Sequence, residues 1–251
     1  MDLLEERLTG GNVAVGVIRI GDTVRKPATP ATDAIEAFLN HLESVGFSGA
    51  PRTLGRDDQN RHVLEYIPGV IAHDQPPMPL DALRRVGTLI RDLHDASESF
   101  QPPASAAWDV AIRHDRHDLI CHHDLAPWNL VIDGDRWVFI DWDGAGPGSR
   151  MWDLAYAAHG FVVFRPNGDP DVDAARLATL VESYGLDEEQ RQTLPQMIVD
   201  RTRAMFDLLQ HGARTGQQPW ARLHSEGHAD HWGPTADYIE RHLATWHRAL
   251  M

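Results

Sequence analysis

The stretch from His122 to Asp143, HHDLAPWNLVIDGDRWVFIDWD, constrains the fold more than any other part of the chain. Two β-branched and aromatic runs, Leu130-Val131-Ile132 and Trp137-Val138-Phe139-Ile140, flank Asp133-Gly134-Asp135, a turn signal, and Leu119-Ile120-Cys121 is a further apolar run just ahead. The pattern predicts loop, strand, tight turn, strand. Pairing the two strands brings His123, Asp124 and Asn129, on the loop before them, next to Asp141 and Asp143, just after them. Three carboxylates and one amide then converge on one rim. A hard divalent cation such as Mg²⁺ takes oxygen ligands and keeps substrate phosphates among them, so one amide and one or two carboxylates suffice as the protein's share. Asp124 is left for an attacking group. A lone Asp beside a turn is ordinarily a turn former or a cap, and Asp133 and Asp135 are read that way. Coincidence does not account for four positions in register.

The spacing His123, Asp124, Asn129, then Asp141 matches the catalytic loop of protein kinases and the metal-binding Asp that follows it. More specifically, H-x-D-L-x-P-x-N followed by I-D-W-D-x-x-x-x-G resembles the aminoglycoside phosphotransferase family, small-molecule relatives of protein kinases that include choline-kinase-like enzymes. The resemblance is strongest over residues 119 to 158. It implies an α+β, protein-kinase-like two-lobed fold: a small antiparallel-sheet lobe with one helix over residues 1–69, binding nucleotide, and a larger, mainly helical catalytic and substrate-binding lobe over residues 70–251. It further implies that Asp124 orients or deprotonates a substrate hydroxyl, that Asn129 and Asp141 hold Mg²⁺, with Asp143 a further acidic position, and that His123 and Asp153 brace the loop. His122 is read as a packing or hydrogen-bonding residue, and Cys121 as a small buried apolar one.

At 251 residues the chain is long enough for one large or two modest domains. A single cysteine excludes an intramolecular disulfide. The opening Met-Asp-Leu-Leu-Glu-Glu-Arg lacks the basic region and apolar run of a secretory signal, and no stretch has the continuous apolar length of a membrane span, so the cytoplasm is the expected compartment. The formal net charge of −14 argues against a nucleic-acid partner and is compatible with a cationic acceptor.

In chain order, Leu3 to Leu8 suits either a short helix or an extended lead-in. Thr9-Gly10-Gly11-Asn12 is a glycine-rich turn of the kind that lets backbone N–H groups approach a phosphate, and equally an ordinary hairpin turn; the full G-x-G-x-x-G pattern is absent. Val13–Ile20 and Thr23–Lys26 read as a hairpin. Lys26, the first lysine, stands where the resemblance puts the residue that contacts the α- and β-phosphates. The helix predicted over Thr32–Val45 carries Glu36 and Glu43, either of which can pair with Lys26, Glu36 being nearer the family's position. Two more strands are expected, one of them His62–Ile67. The resemblance makes the backbone of Glu65, Tyr66 and Ile67 the site of base binding, without choosing ATP over GTP. Val70–Pro79 reads as a loop. Helices follow from Leu80 to near His94, Asp153–Val163, Asp173–Tyr184, Asp187–Gly212 and about Gly233–Leu250. His94 is read as a hydrogen-bonded structural residue. His224, His228 and His231 fall at a helical spacing that can hold zinc, which chance explains in a chain with 15 histidines.

The reading is a Mg²⁺-dependent kinase that moves the γ-phosphoryl group of ATP or GTP to a hydroxyl of a small molecule, an aminoglycoside among the candidates, with an amino alcohol, sugar or nucleoside as alternatives. Asp200, Asp207, Glu226 and Asp230 are the acidic candidates for gripping amino groups. A protein kinase fits less well, since no A-P-E or D-F-G segment is present. A nucleotide-binding pseudokinase is the remaining alternative, supported by the incomplete glycine loop.

Overall fold

The computed structural model describes residues 5–8, 16–113 and 116–251. The glycine-rich turn expected to approach a phosphate, at residues 9–12, lies outside the described residues. Of the two forms open to the lead-in, Glu5–Arg7 takes the extended one and becomes β1. With β2 (Ile18–Ile20), β3 (Thr23–Pro27), β4 (Thr53–Arg56) and β5 (Arg61–Glu65) it forms an antiparallel sheet in the order β1-β2-β3-β5-β4. The β2–β3 hairpin pairs Ile20 with Thr23, closing on Gly21, whose φ of 58° suits the tight right-twisting turn.

Helix α1 (Thr32–Ser44) packs its apolar stripe, Ala34, Ile35, Phe38, Leu39 and Leu42, into the core. The four larger side chains of the stripe each contribute about 1.5–3 kcal/mol on burial. Phe38 meets Phe100 at 5.0 Å and Trp142 at 5.8 Å between ring centroids, so α1 is anchored on the segment that carries Asp141 and Asp143.

The stretch expected to be loop after Pro68 holds a short strand, β6 (Val70–Ile71), which pairs with β8 (Leu130–Asp133); β8 in turn pairs with β9 (Arg136–Phe139). Gly69 makes this possible. Its φ is 123°, and a Cβ there would fall 2.3 Å from the Ile132 carbonyl oxygen. A second ribbon joins β7 (Leu119–Cys121) to β10 (Gly146–Gly148), with Cys121 opposite Gly146. The two ribbons clamp both ends of the loop that carries Asp124.

Helices make up the rest. They are α2 (Leu80–Ser97), α3 (Arg150–Val162), α4 (Pro170–Tyr184), α5 (Glu188–Thr215), α6 (Trp220–Ser225), α7 (Ala229–Arg241) and α8 (Leu243–Leu250). Ser149 caps α3 by accepting the Trp152 N–H, and Asp187 with Gln190 forms a capping box on α5. Helix α5 runs through Pro195, as the expected span Asp187–Gly212 does, and the single last helix expected from Gly233 is two, divided at His242. The arrangement is the expected α+β one, an antiparallel sheet with one helix followed by a mainly helical part. Among the described residues no helix is long and apolar enough to cross a membrane.

Candidate active site

The β8–β9 register pairs Leu130 with Phe139, and one step further the Ile140 N–H donates to the Asn129 carbonyl at 2.8 Å. Asn129 and Asp141 are thereby brought to one edge of the hairpin. Asn129 ends a 3₁₀ turn, Pro127–Asn129, and its Nδ2 donates to Asp124 Oδ2 at 2.7 Å and to the Asp124 carbonyl at 3.0 Å. The Trp128 indole Nε1 donates to the other Asp124 oxygen at 3.3 Å. Burial pushes the Asp124 carboxyl up to about 6; the neighbouring Tyr156 hydroxyl works against the rise and Asp141 adds to it. A base of this kind is ionised near neutral pH and still basic enough to take a hydroxyl proton.

Asp141 sits in the left-handed region, φ 65° and ψ 60°, which Asp tolerates better than most residues. Trp142 fixes it there. That side chain is 2% exposed, donates Nε1–H to the Phe139 carbonyl at 2.7 Å and lies 4.5 Å from the His122 ring. Between Asp141 and Asp143 lies Lys26, the only lysine among the chain's 23 basic residues. Its Nζ is 2.5 Å from Asp141 Oδ1 and 2.8 Å from Asp143 Oδ2. Burial opposes its charge, yet the two carboxylates hold its pKa above the ordinary value. Burial also acts to raise Asp141, but Lys26 outweighs it and the net shift is downward; Asp143 is raised, by burial first.

The expected Lys26–Glu36 pair is not formed. Glu36 Oε1 accepts from Arg56 Nε at 3.3 Å and stands 3.9 Å from His62 Nε2, and Glu43 is exposed. Two convergent carboxylates attract the ammonium more strongly than one, and the β4 arginine has already captured Glu36. His62, opposite Lys26 in β5, is lowered to about 4, by burial first and then by Lys26, and is neutral at ordinary pH.

The loop itself is held from beneath. Asp153, fully buried on α3, accepts the N–H groups of His122 at 3.1 Å and His123 at 2.8 Å, and pairs with His94 Nε2 at 3.2 Å. Burial would raise its carboxyl, but these partners bring it down to about 2. His123 has φ 67°, and its Nε2 bonds the Gly146 and Pro147 carbonyls at 3.1 Å each. His122 both packs and hydrogen-bonds, as expected of it. Its Nδ1 accepts the Asp124 N–H at 3.2 Å, so Nε2 carries the proton and donates to the Ile140 carbonyl at 3.0 Å. One imidazole thus ties the residue before Asp141 to Asp124. The motif offered the signal, because the histidine of H-x-D stands two positions before the aspartate. His94 is the structural residue expected, bonded to Tyr184 and Asp153.

The expected base-binding segment is partly engaged within the protein. The Glu65 N–H donates to the Arg52 carbonyl and the Tyr66 N–H to the Asp22 carbonyl, both at 2.9 Å. The Glu65 carboxylate is held at about 2 by a two-point pair with Arg136, at 2.7 and 3.0 Å, and Arg19 lies over the Tyr66 ring at 3.7 Å. These contacts take up the N–H groups of Glu65 and Tyr66, and Ile67 stands at the far end of the segment. There Ile67, Val131 and Val138 form an apolar cluster with Ile140 against it, adjoining Asp141.

Elsewhere, Asp200, Asp207, Glu226 and Asp230 are exposed, and Glu226 is occupied by Arg222 at 2.9 Å. The three histidines at helical spacing do not share a helix, since α6 ends at Ser225 and α7 begins at Ala229. Beside Asp124 the structure sets aromatic rings instead. Trp128 meets Tyr156 edge-on at 6.3 Å, and Tyr156 stacks on Trp232 at 5.9 Å.

Residues 101–194 match the phosphotransferase enzyme family. The trifolitoxin immunity protein of Rhizobium leguminosarum bv. trifolii is 33% identical over 198 residues, covering 73% of this chain and 75% of that protein. Among solved structures, the microcompartment-associated aminopropanol kinase superposes with a TM-score of 0.66 at 16% identity, covering 100% of this chain and 95% of that one. The amicoumacin kinase hAmiN, in complex with AMP-PNP, Ca²⁺ and Ami, superposes with a TM-score of 0.63 at 13% identity, covering 94% and 88%. At those identities the superpositions establish the kinase-like fold, and the sequence matches establish the kinship: this chain belongs to the phosphotransferase enzyme family.

Proposed function

We propose that the protein transfers the γ-phosphoryl group of ATP or GTP to a hydroxyl of a small molecule. The observation that carries this reading is the chain's only lysine held by Asp141 and Asp143 beside the Asp124–Asn129 pair. Residues 1–69 are assigned to nucleotide binding and residues 70–251 to catalysis and acceptor binding. The donor set fits a hard divalent ion such as Mg²⁺, because Asp141, Asp143 and the Asn129 amide offer only oxygens and the two carboxylates already converge on a cation, the Lys26 ammonium. Held by these residues, such an ion would supply positive charge against the phosphates of the nucleotide.

The remaining work falls to the chain. Lys26 grips the α- and β-phosphates, and the apolar cluster of Ile67, Val131, Val138 and Ile140 receives the base. Asp124, aimed by Asn129 and Trp128, accepts the proton of the acceptor hydroxyl as its oxygen bonds to the γ-phosphorus and the bond from that phosphorus to the β-phosphate oxygen breaks. His123 and Asp153 keep the loop in place. Glu65 acts as a strut to Arg136 and Glu36 as a partner of Arg56, which removes both side chains from nucleotide contact.

A relative named for trifolitoxin immunity and a fold neighbour named as an amicoumacin kinase support toxins or antibiotics as the acceptor class, an aminoglycoside being one candidate. The net charge of −14 favours cationic ones. The cytoplasm, where ATP is held, is the compartment assigned. The test is phosphoryl transfer from ATP and GTP with Mg²⁺ across antibiotics, amino alcohols, sugars and nucleosides, with Asp124→Asn as control. Transfer that Asp124→Asn abolishes while nucleotide still binds supports the reading. Transfer that survives Asp124→Asn overturns the role of Asp124, and nucleotide binding without transfer to any acceptor or to water favours a pseudokinase.

A further inference from the structure

Arg201, on α5, is 4% exposed and lies 78 residues from the catalytic loop in sequence, yet its Nη2 donates to the His123 carbonyl at 3.1 Å. Its guanidinium covers the Tyr156 ring at 4.3 Å and stands 5.4 Å from the Trp152 ring. Its Nε and Nη1 are buried with no hydrogen-bond partner among the described residues. Burying a cation this way is costly, and an apolar side chain of similar volume would fill the space more cheaply. Packing alone therefore does not account for an arginine here.

The contacts show what it holds. The peptide joining His123 to Asp124 is fixed at both polar atoms, its carbonyl by Arg201 and its N–H by His122 Nδ1. His123 needs that grip, since its φ of 67° is a conformation few side chains adopt unassisted. Asp153 holds the His123 N–H from the other side. The same guanidinium backs Tyr156, whose phenol adjoins the Asp124 carboxylate, and Arg201 feels the fields of Tyr156, Asp153 and Asp124.

We propose that Arg201 is a positioning residue for phosphoryl transfer: from α5 it locks the peptide that aims Asp124 and sets a fixed positive charge behind Tyr156. This rests on the phosphotransferase reading above, and two measurements separate the claims. The first is nucleotide turnover with Mg²⁺, water serving as acceptor, in Arg201→Met and Arg201→Lys. Loss of the grip should lower kcat about 10- to 100-fold in Arg201→Met while the nucleotide KM stays within about twofold, because a misaimed group costs rate and not nucleotide affinity. Arg201→Lys, which keeps the charge and one donor, should recover part of the loss. The second is amide hydrogen exchange over residues 119–130 without nucleotide, which Arg201→Met should accelerate about tenfold at His123 and Asp124 with β8 and β9 unchanged.

Wild-type kcat in Arg201→Met, or a loss of kcat that Arg201→Lys does not relieve at all, overturns the proposal. If Arg201→Met does not fold, Arg201→Lys alone decides: unchanged kcat and unchanged exchange overturn it, and lowered kcat at constant KM supports it. A wild-type protein with no transfer to water or to any acceptor of the panel overturns the phosphotransferase reading, and the exchange data then decide whether Arg201 holds the loop.

Discussion

Replacing Asp124 by Asn should stabilise the protein in alkaline buffer and not in acid. The native carboxyl ionises at about 6 against an ordinary value of 3.8, so the native state holds its proton more tightly than the unfolded chain does. For an acid with a raised native pKa, wild-type stability is full below about pH 4 and falls as pH rises to about 6. At about 1.4 kcal/mol per pKa unit, the ionised carboxylate costs at most about 3 kcal/mol at pH 8. Asn removes that cost but its amide can accept from only one of the two donors, Trp128 Nε1 and Asn129 Nδ2, and opposing the other returns about 1 kcal/mol. The net gain is about 2 kcal/mol at pH 8, a rise in Tm of about 4–8 °C for a chain of this size. At pH 4 only the amide penalty of about 1 kcal/mol remains, and the variant is the less stable protein. Thermal denaturation of both proteins at pH 4, 6 and 8, with chelator present, checks this. A Tm difference that does not change with pH, or a less stable variant at pH 8, refutes the reasoning that the site spends stability on its base.

Asp141→Ala should abolish metal-dependent strengthening of nucleotide binding and leave Lys26 with Asp143 alone, so calorimetric titration with and without Mg²⁺ should give equal, weak affinities. Trp142→Ala should cost about 3–5 kcal/mol and lower Tm accordingly, since it empties a site packed by Phe38 and His122 and frees the turn bearing Asp141. Asp153→Ala should cost about 3 kcal/mol or more, because it leaves the His122 and His123 N–H groups and His94 without their acceptor; denaturant unfolding measures it. In wild type the Asp153 contribution should persist down to about pH 4 and fade as pH drops towards about 2, where its native carboxyl takes up a proton.

Much of the site was legible in the chain because its geometry is local. Two β-runs around Asp133-Gly134-Asp135 can only fold back on each other, and that alone sets Asn129 beside Asp141. Helical periodicity likewise marked α1, α2 and most of α4 and α5, because burial of one face dictates the spacing. Partner choice was decided by tertiary structure. Glu36 and Glu43 both lie on the helix expected to serve Lys26, and nothing in their spacing says that Arg56 on β4 takes the first, or that Asp141 and Asp143 take the lysine. Strand β6 was invisible as two residues in a Pro- and His-rich stretch, and exists because Gly69 lets the chain lie against Ile132. Arg201 is one more charged residue on a helix by sequence, and only the fold puts its guanidinium under His123. Local pattern determines which residues share an element and a face; which charges meet across elements depends on distances that only packing sets.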